Sequence, residues 1–273
     1  MAIPPQDSQV WLSLVIPAFN EEKRILKTLA AVSDFLLRQP WRSEIVVVDD
    51  GSTDRTSEVV RGIAAGSPVE IRVAHYPRNC GKGHALKVGF ELARGARIGF
   101  SDADLSTPIE ELPRLLAEID RGFDVVIGSR KMEGAEIAIH QPWYREWMGK
   151  VYTQLVAILL ARVSDVTCGF KVYRGEVGRD LFSRVRIADW SFDAELLLLA
   201  KRRGYSLLEV PVLWKDERGS KVRLGRDVFA SVRSLLRIRW NAMRGVYDRP
   251  VAAGSTLTVW AALPKALGAS EAE

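Results

Sequence analysis

Four short apolar runs between residues 12 and 101 each end on a polar cluster, and the first three are followed by a stretch of helical periodicity. Residues 12–17 lead to Ala18-Phe19-Asn20-Glu21, residues 44–48 to Asp49-Asp50-Gly51-Ser52, residues 71–74 to Asn79-Cys80-Gly81-Lys82-Gly83, and residues 97–101 to Asp102-Ala103-Asp104. Ile25, Leu29, Val32 and Leu36 recur at helical spacing, with Asn20 as a candidate N-cap, and further helices are expected over residues 53–65 and 84–94. Strands alternating with helices of this length need crossover connections, which predicts an α/β fold with a mostly parallel central sheet flanked by helices. Ligands of such sheets collect beyond the carboxyl ends of the strands, so the four polar clusters are expected on one rim.

The residue types on that rim suit a phosphate-bearing ligand held with a cation. If the strand persists through Asp102-Ala103-Asp104, alternation of side chains sends both carboxylates to the same side, within reach of one hard cation such as Mg²⁺ or Mn²⁺. The same pair ahead of Pro108 also suits a turn and the cap of a helix starting near Ile109. Asp49 or Asp50 can accept hydrogen bonds from a base or ribose, Phe19 can pack beside the base, and Lys82 can offer its ammonium to phosphates.

Composition narrows the partners. The chain has 273 residues, 47% of them hydrophobic and 27% charged, with a formal net charge of +5. That is a folded protein suited to an anionic partner: a phosphorylated ligand, a membrane surface or nucleic acid. Cys80 and Cys168 stand far apart, outside any disulfide or zinc spacing. No apolar run reaches the ~20 residues that cross a bilayer, and residues 1–9 do not read as a secretion signal, so a cytosolic location is expected.

In order along the chain, Leu14-Val15-Ile16-Pro17-Ala18-Phe19-Asn20-Glu21-Glu22, Val46-Val47-Val48-Asp49-Asp50-Gly51-Ser52-Thr53-Asp54, Arg78-Asn79-Cys80-Gly81-Lys82-Gly83 and Asp102-Ala103-Asp104 closely resemble the family 2 glycosyltransferases of GT-A (nucleotide-diphospho-sugar transferase) fold. Gly128-Ser129-Arg130, Cys168-Gly169-Phe170-Lys171, Trp190-Ser191-Phe192-Asp193-Ala194-Glu195 and Gly219-Ser220-Lys221 are similar to the polyprenyl-phosphate sugar synthases, and among them to dolichyl-phosphate β-glucosyltransferases. The resemblance implies transfer of a sugar, UDP-glucose being the first donor and GDP-mannose the second, to a polyprenyl phosphate with inversion. It implies that Pro17, Phe19, Glu21, Asp49, Asp50, Lys82 and Ala103 hold the donor, with Asp102 and Asp104 on Mg²⁺ or Mn²⁺ and the diphosphate. Ser129, Arg130, Lys171, Arg218, Ser220, Lys221 and Arg223 would face the acceptor phosphate, with Arg130 and Lys221 foremost. Asp193 or Glu195 stands where the wider family places its base, although a phosphate monoester is already an anionic nucleophile at neutral pH and needs none. Two departures stand out: Ser106 where mannosyl relatives often carry Gln, which favours glucose, and Phe19 where Tyr is commoner.

This reading divides the chain into an extension at 1–10 and a single catalytic domain at 11–224, with a nucleotide-sugar half (11–130) and an acceptor half (131–224). A basic amphipathic helix follows at 225–247 and a poorly ordered tail at 248–273. Residues 131–141 read as a mobile acceptor loop, and residues 151–161 as a buried core helix with an aromatic cluster, Trp143, Tyr144 and Trp147, ahead of it. In the last helix Arg226, Arg233, Arg237 and Arg244 share one stripe, with Val228, Val232, Leu235, Met243 and Val246 opposite. Peripheral attachment to the cytoplasmic face of a membrane is therefore expected. Other readings are a soluble acceptor, which every donor motif would also serve, and a sugar nucleotidyltransferase, which would carry a Gly-rich, Arg-containing loop after its first strand. A nucleic-acid-binding module explains the positive charge but not an acidic pair that would repel phosphates, so no nucleic-acid partner is expected.

Overall fold

The computed structural model describes residues 9–139, 143–160, 163–215, 226–251, 254 and 257–262. In chain order they form β1 (Leu12–Ala18), α1 (Ile25–Leu37), β2 (Ser43–Asp49), α2 (Thr56–Gly66), β3 (Glu70–His75), α3 (Lys82–Leu92) and β4 (Arg97–Ser101). A 3₁₀ turn at Ile109–Glu111 then runs into α4 (Leu112–Asp120), followed by β5 (Val125–Ser129), β6 (Glu136–Ile139), α5 (Trp143–Leu159), β7 (Phe170–Arg174) and α6 (Gly175–Arg184). The chain continues through α7 (Phe192–Arg203), β8 (Leu207–Pro211), β9 (Leu213–Lys215), α8 (Arg226–Met243) and β10 (Thr258–Ala262). The main sheet has the order β10-β3-β2-β1-β4-β7-β5-β8, and β6 pairs in parallel with β9 apart from it.

The β-branched runs form strands because both faces of the sheet are covered, so no position needs to be polar. Alternation along β2 splits the core in two: Val46 and Val48 join Val15, Phe90 and Phe100 on one side, while Ile45 and Val47 join Leu14, Leu29 and Leu112 on the other. Helix α3 lies tight on β1 because Gly89 faces Val15, where any Cβ would collide. Phe90 anchors the first core, stacked on Phe182 with ring centroids 3.8 Å apart and edge-on to Tyr173 at 5.3 Å.

Two strands run against the parallel order. β7 is antiparallel to both neighbours, with Ser101 opposite Phe170 and Phe100 opposite Lys171, so β7 begins where β4 ends. That register carries Cys168-Gly169-Phe170-Lys171 to the rim beside Asp102. β10 pairs antiparallel with β3, Thr258 opposite His75. The expectation of a poorly ordered tail is thus corrected for residues 258–262: β3 would otherwise be an open edge, and Thr258-Val259-Trp260 suits pairing with it.

Four further expectations change. Helix α1 begins at Ile25, and Asn20 does not cap it; Asn20 has φ 54°, and its side-chain oxygen accepts from the Thr53 amide. Helix α5 is not buried on every face: Val156 and Leu160 face the core while Trp147, Val151 and Ile158 are exposed, Ile158 to 76%. Within α8 the buried face is Ser234, Leu235, Ile238 and Ala242, so the expected apolar stripe is split: Leu235 is buried, while Val232 and Met243 are exposed beside Leu236 and Trp240. Part of the expected acceptor loop is strand β6, and residues 140–141 lie outside the described residues.

Phe90→Ala is expected to lower the unfolding free energy by about 3–5 kcal/mol, read as a fall in the urea midpoint. An unchanged midpoint would show that the aromatic stack does not carry this core.

Candidate active site

The loops after β1 and β2 are stitched together before they can present anything. The Asn20 amide donates to Ser52 Oγ at 2.9 Å, the Glu21 amide to Thr56 Oγ1 at 2.8 Å, and the Glu22 amide to Asp54 at 3.2 Å. Pro17 lies in β1 opposite Val48, Phe19 is half-buried, and Glu21 pairs with Arg24 at 2.8 Å. Asp49 is fully buried, accepting from the Ser52 amide at 3.0 Å and lying 3.1 Å from His75 Nδ1.

Asp50 has a different task from the one expected of it. Its carboxylate accepts four hydrogen bonds, from Tyr76 Oη at 2.7 Å, Asn79 Nδ2 at 2.9 Å, the Cys80 amide at 2.7 Å and the Gly81 amide at 2.9 Å. Those bonds use its acceptor sites, so no lone pair remains for a ribose or base. Burial pushes the Asp50 carboxyl up, and the donors from Cys80, Tyr76 and Gly81 oppose that rise. Asp50 therefore shapes the third loop, residues 79–81, and aims Lys82 from its end.

The acidic pair sits in a turn rather than on a strand. β4 ends at Ser101, the Leu105 amide donates to the Asp102 carbonyl at 3.2 Å, and Leu105 takes φ 51°. Asp104 Oδ1 accepts from the Ser106 amide at 2.9 Å, and buried Ala103 is tied through its carbonyl to Thr28 Oγ1 at 2.5 Å. The residues of the pair are placed by the hydrogen bonds of this turn, in place of strand alternation.

Against this turn stands a file of alternating charges. Lys82 Nζ lies 2.5 Å from Asp102 Oδ1 and 5.2 Å from the Trp190 ring centre. Behind it, Lys171 is ion-paired with Asp193, both almost wholly buried, and Lys171 also donates to the Val166 carbonyl at 3.1 Å. Burial pulls the Lys82 ammonium down, but Asp102, Asp193 and Asp104 together overcome it and hold its pKa above the ordinary lysine value. Burial pushes the Asp193 carboxyl up, with Lys171 and then Lys82 working against that. Gly169 closes the wall: a Cβ there would strike the Asp102 carboxylate.

Asp102 and Asp104 are the carboxylates of this turn that could hold a hard divalent cation. Among the described residues no third acidic, His or Cys side chain joins them, which suits Mg²⁺ or Mn²⁺ completed by water and phosphate oxygens. The ammonium of Lys82 against Asp102 marks the place where positive charge is wanted.

The residues assigned to the acceptor phosphate divide. Ser129 is fully buried and shares a hydrogen bond of 3.1 Å with Ser164 Oγ. Arg130 meets Asp165 through Nε at 2.7 Å and Nη2 at 2.8 Å, and also reaches Thr167 at 2.9 Å. Burial resists ionisation of Asp165, but Arg130 holds its pKa at about 2. Lys171 lies beneath the site, within the file of charges. Arg218, Ser220, Lys221 and Arg223 lie outside the described residues. Asp165 and Trp190 were not singled out from sequence: Asp165, between Ser164 and Val166, has only its acidity as a signal, and Trp190 opens a motif in which Asp193 and Glu195 drew the attention. Trp190 is 52% exposed, unusual for a tryptophan at the edge of a site.

Comparison with known proteins agrees with this fold. A family model described as glycosyl transferase family 2 matches residues 13–182. A dolichyl-phosphate β-glucosyltransferase of Trichomonas vaginalis is 37% identical over 80% of this chain and 67% of its own. One from Saccharomyces cerevisiae is 32% identical over 88% and 78%. Among solved structures, glucosyl-3-phosphoglycerate synthase from Mycobacterium tuberculosis, in complex with Mn²⁺, UDP-glucose and phosphoglyceric acid, superposes with TM-score 0.66 at 20% identity over 85% of this chain and 80% of that one. Fold and relatives agree, and the chain belongs to glycosyl transferase family 2, with the GT-A architecture.

Proposed function

We propose that this glycosyltransferase moves glucose from UDP-glucose to a dolichyl-type polyprenyl phosphate, forming a β-linked lipid-phosphate glucose. The observation that carries this is the Asp102–Asp104 turn facing Lys82 at the end of a buried file of charges, in a chain whose relatives are named for that transfer. Pro17, Phe19 and Glu21 line the nucleoside end, with Asp49 buried behind them and Asp50 holding the neighbouring loop in shape. Asp102, Ala103 and Asp104 take the diphosphate end, where a bound Mg²⁺ or Mn²⁺ would neutralise charge on the leaving UDP. Lys82 then exchanges Asp102 for a donor phosphate, its charge kept by Asp193 behind it. Ser129 and Arg130, held by Asp165, edge the acceptor side, and the segment carrying Arg218, Ser220, Lys221 and Arg223 supplies further cations for the acceptor phosphate.

In the transfer, an oxygen of the lipid phosphate attacks the anomeric carbon as the bond to the UDP β-phosphate oxygen breaks on the opposite face. The acceptor carries a second pKa near 6, so no proton has to be removed. Asp193, 3% exposed and ion-paired to Lys171, suits a counter-ion for the two lysines better than a base.

Access to a lipid falls to α5 and α8, which pack together. Among the described residues no helix is long and apolar enough to cross a membrane. Val232, Leu236, Trp240 and Met243 form an exposed stripe on α8, flanked by Arg239 on one side and by Arg233, Arg237 and Arg244 on the other; Trp147, Val151 and Ile158 expose a second stripe on α5. Apolar side chains between arginines suit the headgroup boundary of an anionic bilayer, consistent with peripheral attachment to a cytoplasmic face.

Incubation with labelled UDP-glucose, Mn²⁺ or Mg²⁺ and a short-chain polyprenyl phosphate is expected to label the lipid, and EDTA to abolish the label. Labelling from GDP-mannose instead would overturn the sugar assignment. Asp104→Asn is expected to lower turnover at least 100-fold with the circular dichroism spectrum intact; full activity would remove Asp104 from the cation site. The double change Leu236→Asp, Trp240→Asp is expected to weaken sedimentation with anionic vesicles at least tenfold, and unchanged sedimentation would exclude α8 as the contact.

A further inference from the structure

The segment between α6 and α7, residues 185–191, is bonded to the start of α3 on one side and to α8 on the other. On one side it meets the start of α3. The Ala188 carbonyl accepts from the Gly83 amide at 2.9 Å, and a Cβ at Gly81, whose φ is 98°, would strike that same carbonyl. A Cβ at Gly83 would come within 2.5 Å of the Ile187 carbonyl and 2.7 Å of Phe192 Cβ, so the Gly81-Lys82-Gly83 loop is cast against this segment. Trp190 places its ring 5.2 Å from Lys82 Nζ while remaining half-exposed at the mouth of the site.

On the other side the segment is tied to α8. Asp189 Oδ2 accepts from Ser234 Oγ at 2.7 Å, and Ser234 is 8% exposed. Asp189 Oδ1 meanwhile accepts from the Ser191 amide at 2.8 Å, which fixes the turn in which Trp190 stands. A second tie lies beside it: Glu195 accepts from the Arg186 and Ile187 amides at 3.0 and 2.9 Å and from Tyr247 Oη, in the turn after α8, at 2.6 Å. None of these groups faces the acidic turn, and stability alone accounts poorly for a serine chosen for the buried face of a helix, where alanine is the better helix former.

We propose that Asp189 and Trp190 are positioning residues for the donor loop, and that Ser234 of α8 holds them in place. Ser234 fixes Asp189, Asp189 fixes the turn, and the turn supplies the Ala188 carbonyl that seats Gly83 and the Trp190 ring that orients Lys82 toward the diphosphate. This rests on the donor reading above, and it links the helix whose outer stripe faces the lipid to the loop that grips the nucleotide sugar.

Ser234→Ala tests the link with little risk to folding. The Gly83 amide, followed by hydrogen exchange in the donor-free protein, is expected to exchange about tenfold faster, the loss of one hydrogen bond to a charged partner. UDP with Mn²⁺ is expected to bind about three- to tenfold more weakly, while vesicle sedimentation stays at the wild-type value and the thermal midpoint falls by no more than the few degrees that one lost hydrogen bond costs. Ser234→Thr, which keeps the hydroxyl, is expected to restore both. Trp190→Ala is expected to weaken UDP binding about tenfold, with Trp190→Phe recovering most of it through the remaining ring face. Wild-type Gly83 exchange and wild-type UDP affinity in Ser234→Ala would overturn the proposal, as would losses that merely follow a fall in the thermal midpoint. Should the wild-type protein fail to bind UDP, the donor reading falls, and the Gly83 exchange rate still decides whether Ser234 holds the loop.

Discussion

The site depends on one electrostatic requirement: a lysine and an aspartate buried under the rim must neutralise each other. Lys171 is 2% exposed and Asp193 3%. Removing either partner would strand a charge in the core, at a cost of about 3–5 kcal/mol. Satisfying them dictates where other parts go. β7 must run antiparallel beside β4 to bring Lys171 under the rim, and α7 must start there to deliver Asp193 in its first turn. Gly169 must lack a side chain so that Asp102 can close over the top. Lys82 then completes an order of alternating sign that ends at Asp102, where a cation and a diphosphate can continue it.

A second constraint works through hydrogen bonds rather than net charge. A carboxylate fully occupied by its own fold makes a rigid loop. Asp50 spends its acceptor sites on residues 76–81, just as Asp104 uses one oxygen to hold its own turn. Acidic residues at the rim therefore divide into those that build the loops and those left to meet a ligand. Asp165 belongs with the builders, since it locks the Arg130 guanidinium from behind.

Much of the fold was legible because its signals are local. Short apolar runs named β1 to β4, and the helical recurrence of Ile25, Leu29, Val32 and Leu36 named α1, with ends correct to within a few residues. The clusters after the strands were legible as a rim because a parallel sheet brings successive carboxyl ends together. What was not legible came from tertiary partners. Asp50 looked available because three of its four donors arise 29–31 residues later. The acidic pair looked like strand because the φ of 51° at Leu105 leaves no mark in the residue type. A helical wheel separates the faces of α8 but does not say which is covered; packing chose Ser234, Leu235, Ile238 and Ala242 and left Trp240 outside. β10 was hidden because its order comes from the open edge of β3. Trp190 was passed over because its meaning lies in the lysine it faces.

The central claim is that Lys82 holds the place of a cation at Asp102 and yields it when donor and metal arrive. The most direct test is a crystal structure of the protein with Mn²⁺ and UDP, with the metal located by its anomalous scattering. The account predicts an anomalous peak within coordination distance of carboxylate oxygens of Asp102 and Asp104 and of the diphosphate, with Lys82 Nζ moved from Asp102 to a phosphate oxygen. A peak elsewhere, or UDP bound with Lys82 still paired to Asp102, would contradict it.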